Sequence, residues 1–324
     1  MTNQHMNNVI IIAEAGVNHN GDYQRAVDMV YAAKEAGADY VKFQTAVPEL
    51  VISSVAPKAE YQKETTGNNE SQLEMCRKIH LRLDDYLPLS QLCREVGIGF
   101  MSTPFDLVSI DCLASLGMDY WKIPSGEITN LPYLRKIASK GGKVILSTGM
   151  SEMPEIEAAM AVLQSGGIPR KDISLLHCNT QYPTPMRDVN LRAMEQLRSL
   201  HPGMVGYSDH TVGIEVPVAA VAMGASIIEK HFTLDKSLPG PDHRASLDPA
   251  ELKAMVCAIR NIEQAIGNGE KHVSDSERPN IEIARKSIIA ARDIQAGELL
   301  TEENLTVALA DIVNGEIRYP EIAF

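Results

Sequence analysis

The chain is 324 residues long, 44% hydrophobic and 22% charged, the make-up of an ordinary soluble globule long enough for one large barrel plus a small appendage. Its formal net charge of −12 argues against nucleic acid or an anionic membrane as a partner. An anionic small substrate stays open, because a local cluster of lysines can override the global field.

The N-terminus, Met1-Thr2-Asn3-Gln4-His5, lacks a basic region followed by a long apolar stretch, so no signal peptide is expected. The run Val9–Ala13 is far too short to cross a bilayer, and a cytoplasmic protein is expected. That run reads as a first strand and ends at Glu14. A helix over Asp22–Ala36 carries Ala26, Val27, Val30 and Ala33 at helical spacing and stops at Gly37. The strand Tyr40–Val41 leads into Lys42 and Gln44. Residues 46–80 then form a segment far longer than an ordinary connection, which reads as a lid or substrate loop or as a purely structural extra turn. A helix over Asp84–Val96 precedes the strand Ile98–Met101, which ends in Ser102 and Thr103. A helix over Leu107–Leu116 precedes Tyr120–Trp121, followed by Lys122, Ser125 and Glu127. The strand Val144–Leu146 ends at Ser147, and Ser151 is the expected cap of a helix over Pro154–Leu163. The strand Ile173–Leu176 ends at His177, and a helix over Leu191–Leu200 follows. Met204–Tyr207 then leads into Ser208, Asp209 and His210. After a helix over Val216–Met223, the strand Ser226–Ile228 leads into Glu229 and His231. The helix over Pro249–Ile266 is the longest and is closed by Gly267.

Eight near-continuous apolar runs alternating with helices are the pattern of parallel strands buried on both faces. The expected fold is therefore α/β, a (β/α)8 TIM barrel with chemistry at the carboxyl ends of its strands. Lys271–Asn280 is polar and interrupted by Pro279, and reads as a linker. Ser287–Ala291 and Leu305–Val307 form a small β-rich piece, and Ala308–Phe324 has no clear period. The expected division is a barrel domain over 1–270, a linker over 271–284 and a short, incomplete β-rich segment over 285–324.

His210 and His231 end neighbouring strands, so a barrel would bring two imidazoles together. With oxygens such as Glu14 and Asp242 they suit a divalent metal with open positions. The alternative is one hydrogen-bonded core histidine and one surface histidine. Lys42 and Lys122 end two buried runs, where an unpaired ammonium is costly. They read as a phosphate or carboxylate grip, as Schiff-base nucleophiles, or as ion-pair partners of Glu14 or Glu127. Thr103, Ser125, Ser147 and Ser208 form a ring of hydroxyls beside small residues, suited to an anion. Glu14 and Glu127 are possible general acids or bases. The five cysteines, Cys76, Cys93, Cys112, Cys178 and Cys257, have no metal or redox spacing and read as reduced buried thiols.

These stretches together resemble the sialic acid synthase family. The matching motifs are Glu14-Ala15-Gly16-Val17-Asn18-His19-Asn20-Gly21, Lys42-Phe43-Gln44-Thr45, Ser102-Thr103-Pro104-Phe105 and Lys122-Ile123-Pro124-Ser125-Gly126-Glu127. They continue with Ser147-Thr148-Gly149-Met150, His177-Cys178-Asn179-Thr180-Gln181-Tyr182-Pro183, Ser208-Asp209-His210-Thr211, Glu229-Lys230-His231-Phe232-Thr233 and Gly240-Pro241-Asp242-His243. Arg285–Val307 resembles the start of the antifreeze-like (SAF) domain that closes this family. The resemblance implies condensation of phosphoenolpyruvate with an open-chain N-acetylated amino sugar, N-acetylmannosamine first, releasing phosphate. It implies a divalent metal on His210 and His231, manganese first, with magnesium or cobalt as alternatives. Lys42, Thr103, Lys122, Ser125, Ser147, Ser208 and Thr180 would hold phosphoenolpyruvate, although some members carry asparagine at the position of Thr180. Glu14 would handle a proton, with Glu127 and Asp242 as further catalytic carboxylates. Gln44, Asn68, Glu127, Tyr182 and Asp242 would contact the sugar. The resemblance also implies a homodimer, in which an arginine of the SAF domain reaches the partner's sugar. Nothing here is in register with that arginine, although Arg318 is nearby, so weakened sugar affinity is expected. Rival readings are an N,N'-diacetyllegionaminate synthase acting on a diacetamido-trideoxy sugar, a Schiff-base aldolase, and a catalytically impaired paralogue.

Overall fold

The computed structural model describes residues 8–58, 62–63, 70–201 and 203–309, and the backbone of 311–313 and 316–318. The chain forms two compact units, Met1–Ile266 and Gly267–Phe324. In the first, eight parallel strands run in the order β3-β2-β1-β8-β7-β6-β5-β4. They are β1 (Ile10–Gly16), β2 (Tyr40–Thr45), β3 (Gly99–Pro104), β4 (Tyr120–Ile123), β5 (Lys143–Ser147), β6 (Ile173–Cys178), β7 (Val205–Asp209) and β8 (Ile227–His231). The outermost strands, β3 and β4, lie against each other, which brings the sheet round into a nearly closed barrel.

Helices fill the connections: α1 (Tyr23–Ala36), α2 (Pro48–Val51), α3 (Gln72–Ile79), α4 (Tyr86–Val96), α5 (Leu107–Ala114), α6 (Leu131–Lys140), α7 (Met153–Ser165), α8 (Ala193–Leu200), α9 (Glu215–Ala222) and α10 (Pro249–Ala265). Asp22 and Gly37 bound α1 as the sequence indicates, Asp22 accepting the Arg25 N–H and Gly37 lying in the left-handed region. Ser151 is not the cap of α7. Glu152 holds that position, and the Glu155 carboxylate accepts its backbone N–H at 2.8 Å. The helix α6 has no counterpart in the sequence reading. Its start is marked by Asn130, which caps Tyr133 N–H, and its buried face is Tyr133, Leu134, Ile137 and Ala138. The described residues of the long 46–80 segment include helices α2 and α3, and the latter has a Ser71–Glu74 capping box.

Strand side chains alternate between two faces. On the outer face Ile11, Ala13, Val41, Trp121, Val144, Leu175 and Ile228 join the main core beneath the helices. On the inner face Ile12, Met101, Tyr120, Ile145, Leu176 and Ile227 form a separate apolar plug. The next inward position along several of these strands is Glu14, Thr103, Lys122, Ser147, Cys178 or Glu229. The strands are therefore longer than their apolar runs, and the polar groups belong to them rather than to the loops beyond.

In the second unit α11 (Arg278–Ala284) lies within the stretch read as linker. It is followed by an antiparallel pair, β9 (Ser287–Ala290) and β10 (Leu305–Ala308), with Ile289 opposite Thr306. A further antiparallel pair, β11 (Asp311–Val313) and β12 (Glu316–Arg318), occupies a stretch where no period was expected. Cys76, Cys93 and Cys178 are buried free thiols. Cys112 is half-buried and Cys257 exposed, so the expectation of buried thiols fails at these two positions, which lie on helices α5 and α10.

Candidate active site

A cavity of about 320 Å³ opens at the carboxyl end of the barrel. Thirteen of the fifteen expected site residues line it: Glu14, Lys42, Gln44, Thr103, Lys122, Ser125, Ser147, Thr180, Tyr182, Ser208, His210, His231 and Asp242. Asn68 lies outside the described residues. Glu127 is not among the lining residues. It sits in the short 3-10 turn Ser125–Glu127 after β4, and its carboxylate accepts the Asn130 amide at 2.6 Å.

The floor is a buried ionic network. Lys42 Nζ lies 2.7 Å from Glu14 Oε2 and 3.6 Å from Glu229 Oε2, and donates to Thr103 Oγ1 at 3.1 Å. Lys122 Nζ lies 3.4 Å from Glu229 Oε1 and donates to Ser147 Oγ at 2.8 Å. Ser208 Oγ donates to Glu229 Oε1 at 2.9 Å. The expected pairing of Lys122 with Glu127 is thus replaced by pairing with Glu229, because β8 adjoins β1 and β7 and directs Glu229 inward between the two ammoniums. The sequence reading left Glu229 without a role. It stands two residues after Ile227 and two before His231, and that period of two is the signal that finds it.

Burial acts on each group, and the neighbours decide the outcome. Burial raises the Glu14 carboxyl against the attraction of Lys42. Burial opposes the charge on Lys42, but Glu14 and Glu229 more than offset it and hold Lys42 above the usual lysine range. Burial lowers Lys122, against the attraction of Glu229, its ion-pair partner among the described residues. Burial works against the Glu229 anion as well, but Lys122, Lys42 and the Ser208 hydroxyl bring it down to about 2.

Small residues let the backbone approach. Gly149 N–H donates to Ser125 Oγ at 2.9 Å, and a Cβ on Gly149 would stand 2.8–2.9 Å from Thr180 Cγ2, Cys178 Sγ and Ser125 Oγ. Lysines, hydroxyls and a glycine turn together make a cradle for an anion with more than one charge.

In the same cavity His210 and His231 face each other, ring centroids 5.5 Å apart. His210 Nδ1 bonds the Asn179 carbonyl, which can only accept, so Nδ1 carries the proton. His210 Nε2 therefore presents a lone pair, which accepts the Tyr182 hydroxyl at 2.8 Å. His231 Nδ1 is buried with no hydrogen-bond partner, and Asp242 Oδ2 lies 3.9 Å from it. Burial lowers His210 to about 4 and His231 well below its ordinary value, and raises the Asp242 carboxyl to about 7 with help from Glu14. Two neutral imidazoles suit a divalent cation, which on His210 Nε2 would take the place of the Tyr182 hydroxyl. Among the described residues no group of three or more His, Cys, Asp or Glu side chains is arranged to hold a metal. Two imidazoles are fewer protein ligands than a closed structural site uses, so a cation on this pair would keep positions open to other ligands. The reading of one core and one surface histidine fails, because both rings are buried in the same cavity wall.

The NeuB family profile matches residues 29–271, and the SAF domain profile matches residues 285–322. The chain belongs to the NeuB family, that of the sialic acid synthases. It is 52% identical over 316 residues to an N,N'-diacetyllegionaminic acid synthase of Campylobacter jejuni, covering 98% of this chain and 95% of the relative. A synthase of the same name from Legionella pneumophila is 50% identical, covering 91% of this chain and 83% of the relative. The human N-acetylneuraminate-9-phosphate synthase is 36% identical, with coverage of 93% and 83%. Among solved structures, an N-acetylneuraminic acid synthetase from Leptospira borgpetersenii in complex with citrate superposes with a TM-score of 0.73 at 35% identity, covering 87% of this chain and 95% of that one. This NeuB-family chain is thus an enzyme on a TIM barrel followed by a SAF domain. No helix among its described residues is long and apolar enough to cross a membrane.

Proposed function

We propose that this enzyme condenses phosphoenolpyruvate with the open-chain aldehyde of an N-acetylated amino sugar, forming a carbon–carbon bond and releasing phosphate to give a nonulosonic acid. The observation that carries this reading is that Lys42 and Lys122, bonded to hydroxyls, line one cavity with the imidazole pair. The two ammoniums and the hydroxyls of Thr103, Ser125, Ser147 and Ser208 take the phosphate and carboxylate of phosphoenolpyruvate. Glu229 holds the lysines charged and separated until that anion arrives. His210 and His231 would hold a divalent metal, manganese by our reading, which when bound polarises the sugar aldehyde as a Lewis acid.

The chain's own groups do the rest. The Asn179 carbonyl accepts from His210 Nδ1 and orients that ring, and the cavity keeps the enol carbon within reach of the aldehyde. Carbon 3 of the enol attacks the aldehyde carbon, and Asp242, poised near neutrality, supplies the proton that the new hydroxyl takes up. Water adds at carbon 2, its proton passing to the Glu14 carboxylate, which burial makes a stronger base. The bond from carbon 2 to the phosphate oxygen then breaks, and the hydroxyl left on carbon 2 gives its proton to the departing phosphate as it becomes the keto group. Thr180, close to Gly149 like Ser125, would complete the phosphoenolpyruvate cradle, and Gln44 and Tyr182 would contact the sugar.

Relatives at 52% and 50% identity named for N,N'-diacetyllegionaminic acid, against 36% for the N-acetylneuraminate-9-phosphate synthase, favour a diacetamido-trideoxy sugar over N-acetylmannosamine. We place the synthase domain at 1–270 and the SAF segment from residue 285, and expect a cytoplasmic homodimer, which light scattering reads directly. The deciding experiment offers phosphoenolpyruvate with each sugar, with and without Mn²⁺, and follows phosphate and the product mass. The higher kcat/KM is expected with the diacetamido sugar. Phosphate release with neither sugar would overturn the proposal. Borohydride added during turnover is expected to trap no adduct on Lys42 or Lys122, and a trapped adduct would move the mechanism to Schiff-base chemistry.

A further inference from the structure

Each imidazole of the pair has a charged chain neighbour that the chemistry above does not use. Asp209 precedes His210, Lys230 precedes His231, and the two are direct cross-strand partners on β7 and β8. Neither lines the cavity, as alternation along a strand requires. Asp209, Thr211 and Lys230 are each 0% exposed. Lys230 Nζ donates to Asp209 Oδ2 and to the Thr211 carbonyl. Asp209 Oδ1 accepts Thr211 N–H at 3.1 Å, and Oδ2 accepts the Thr211 hydroxyl at 2.9 Å. His210 is therefore straddled: the residues on either side of it are tied to one another and, through Lys230, to the strand that carries His231.

A buried ion pair is a poor device for stability, since matched apolar side chains at such a place serve as well or better. What the polar ring supplies and an apolar pair does not is directional constraint. It fixes the backbone on both sides of His210 against the residue next to His231. We propose that Asp209, Thr211 and Lys230 form a positioning clasp that sets the separation of His210 and His231, and with it the affinity for a divalent cation. The proposal rests on the metal reading of those histidines given above.

The test measures Mn²⁺ binding by the purified full-length chain without substrate, reading free Mn²⁺ by its electron paramagnetic resonance signal, alongside thermal melting. Asp209→Asn combined with Lys230→Met removes both charges together and leaves no buried ion alone. Its Mn²⁺ dissociation constant is expected to rise about 10- to 100-fold, the range for residues that orient metal ligands. Thr211→Val removes one hydroxyl and is expected to weaken Mn²⁺ binding several-fold with a small change in melting temperature. This variant carries the test if the double variant does not fold. Lys230→Arg is expected to bind more tightly than the double variant. Clasp variants that are folded and bind Mn²⁺ as the wild type does, even with lower melting temperatures, overturn the proposal, because a merely structural pair moves stability alone. His210→Ala separates the two levels. If the wild type binds no Mn²⁺, or His210→Ala binds as well as the wild type, the metal reading falls and the clasp with it. If His210→Ala loses binding and the clasp variants do not, only the clasp falls.

Discussion

Inside the barrel two layers lie one pleat apart. Ile12, Tyr120, Ile145 and Ile227 belong to the lower layer, packed with Met101 and Leu176. Two residues further along the same strands, Glu14, Lys122, Ser147 and Glu229 form the upper layer. The same backbone alternation builds both, so a strand here is a plug at one end and a reagent at the other. The lower layer stabilises through burial and dispersion. The upper layer sets four charges, Glu14, Lys42, Lys122 and Glu229, out of contact with bulk water, where desolvation cancels most of their mutual attraction.

The sharpest way to break this contrast is to turn upper into lower. Lys122→Met combined with Glu229→Met replaces a buried ion pair by apolar groups. Turnover is expected to fall by about 10³-fold or more, because one anion-binding ammonium and its counter-ion are gone. Stability is expected to hold or to rise by about 1–4 kcal/mol. Calorimetry with phosphate-release kinetics reads both. A fall of many degrees in melting temperature would mean that the charged layer is needed for folding, and the contrast would be lost.

The reverse change touches the plug. Ile145→Ala leaves a cavity beneath Ser147 and is expected to remove about 2–5 kcal/mol in urea unfolding. The kcat/KM of the folded fraction stays near that of the wild type. A loss of activity equal to that of the double methionine variant would show that the plug positions the reagents and does not merely support them.

How much of this was legible beforehand differs between the layers. The eight runs and their polar ends are local signals, so the barrel and the polar groups at its strand ends could be read directly. Glu229 was written into the same strand as His231, yet its role is set by Lys42 and Lys122 on strands far away in sequence. Only closure of the sheet brings them together. Glu127 failed for the opposite reason. It ends an apolar run like the others, but the chain turns at Ser125 and gives its carboxylate to Asn130. The clasp was invisible because Asp209 and Lys230 look like members of the polar ends, and only the parity of the strand separates them from the active face. Helix α6 was missed because Pro132 and the flanking polar residues obscure a short buried stripe whose cap is Asn130.

Acid distinguishes the two layers from the shell around them. His19 is buried against Phe43, and burial, with His80 and Arg25 nearby, lowers it to about 3. His243, also buried and close to Arg25, is lowered to about 4. A folded-state value below the unfolded 6.5 means that the unfolded chain takes up the proton first. Stability from these groups is therefore intact above 6.5 and is lost as pH falls toward 4 and 3. Each contributes a loss of roughly 1.4 kcal/mol per pH unit across that window. Urea unfolding of the wild type and of His19→Gln at several pH values isolates one share. The variant should lose about 2 kcal/mol less than the wild type between pH 6.5 and about pH 5. Parallel curves would show that His19 is protonated in the folded protein.

The smallest expected effect separates backbone strain from placement of the reagents. Gly16 ends β1 at a break in the strand register, with φ of +54°, where a side chain is strained whatever the space. A Cβ there would also stand 3.3 Å from Glu14 Oε1 and from Gln44 Nε2, and 3.4 Å from His231 Cε1. Gly37, at the end of α1, has φ of +87° and would meet only Val256 Cγ1, at 3.4 Å. Gly16→Ala and Gly37→Ala should each lose about 1–2 kcal/mol, the cost of left-handed backbone for a residue with a Cβ. Only Gly16→Ala should also lower kcat, because only there does the added carbon crowd the Glu14 carboxylate and the Gln44 amide of the site. Equal kcat values for the two folded variants would mean that the active groups yield without consequence, and that the tight packing around Gly16 is incidental to the chemistry.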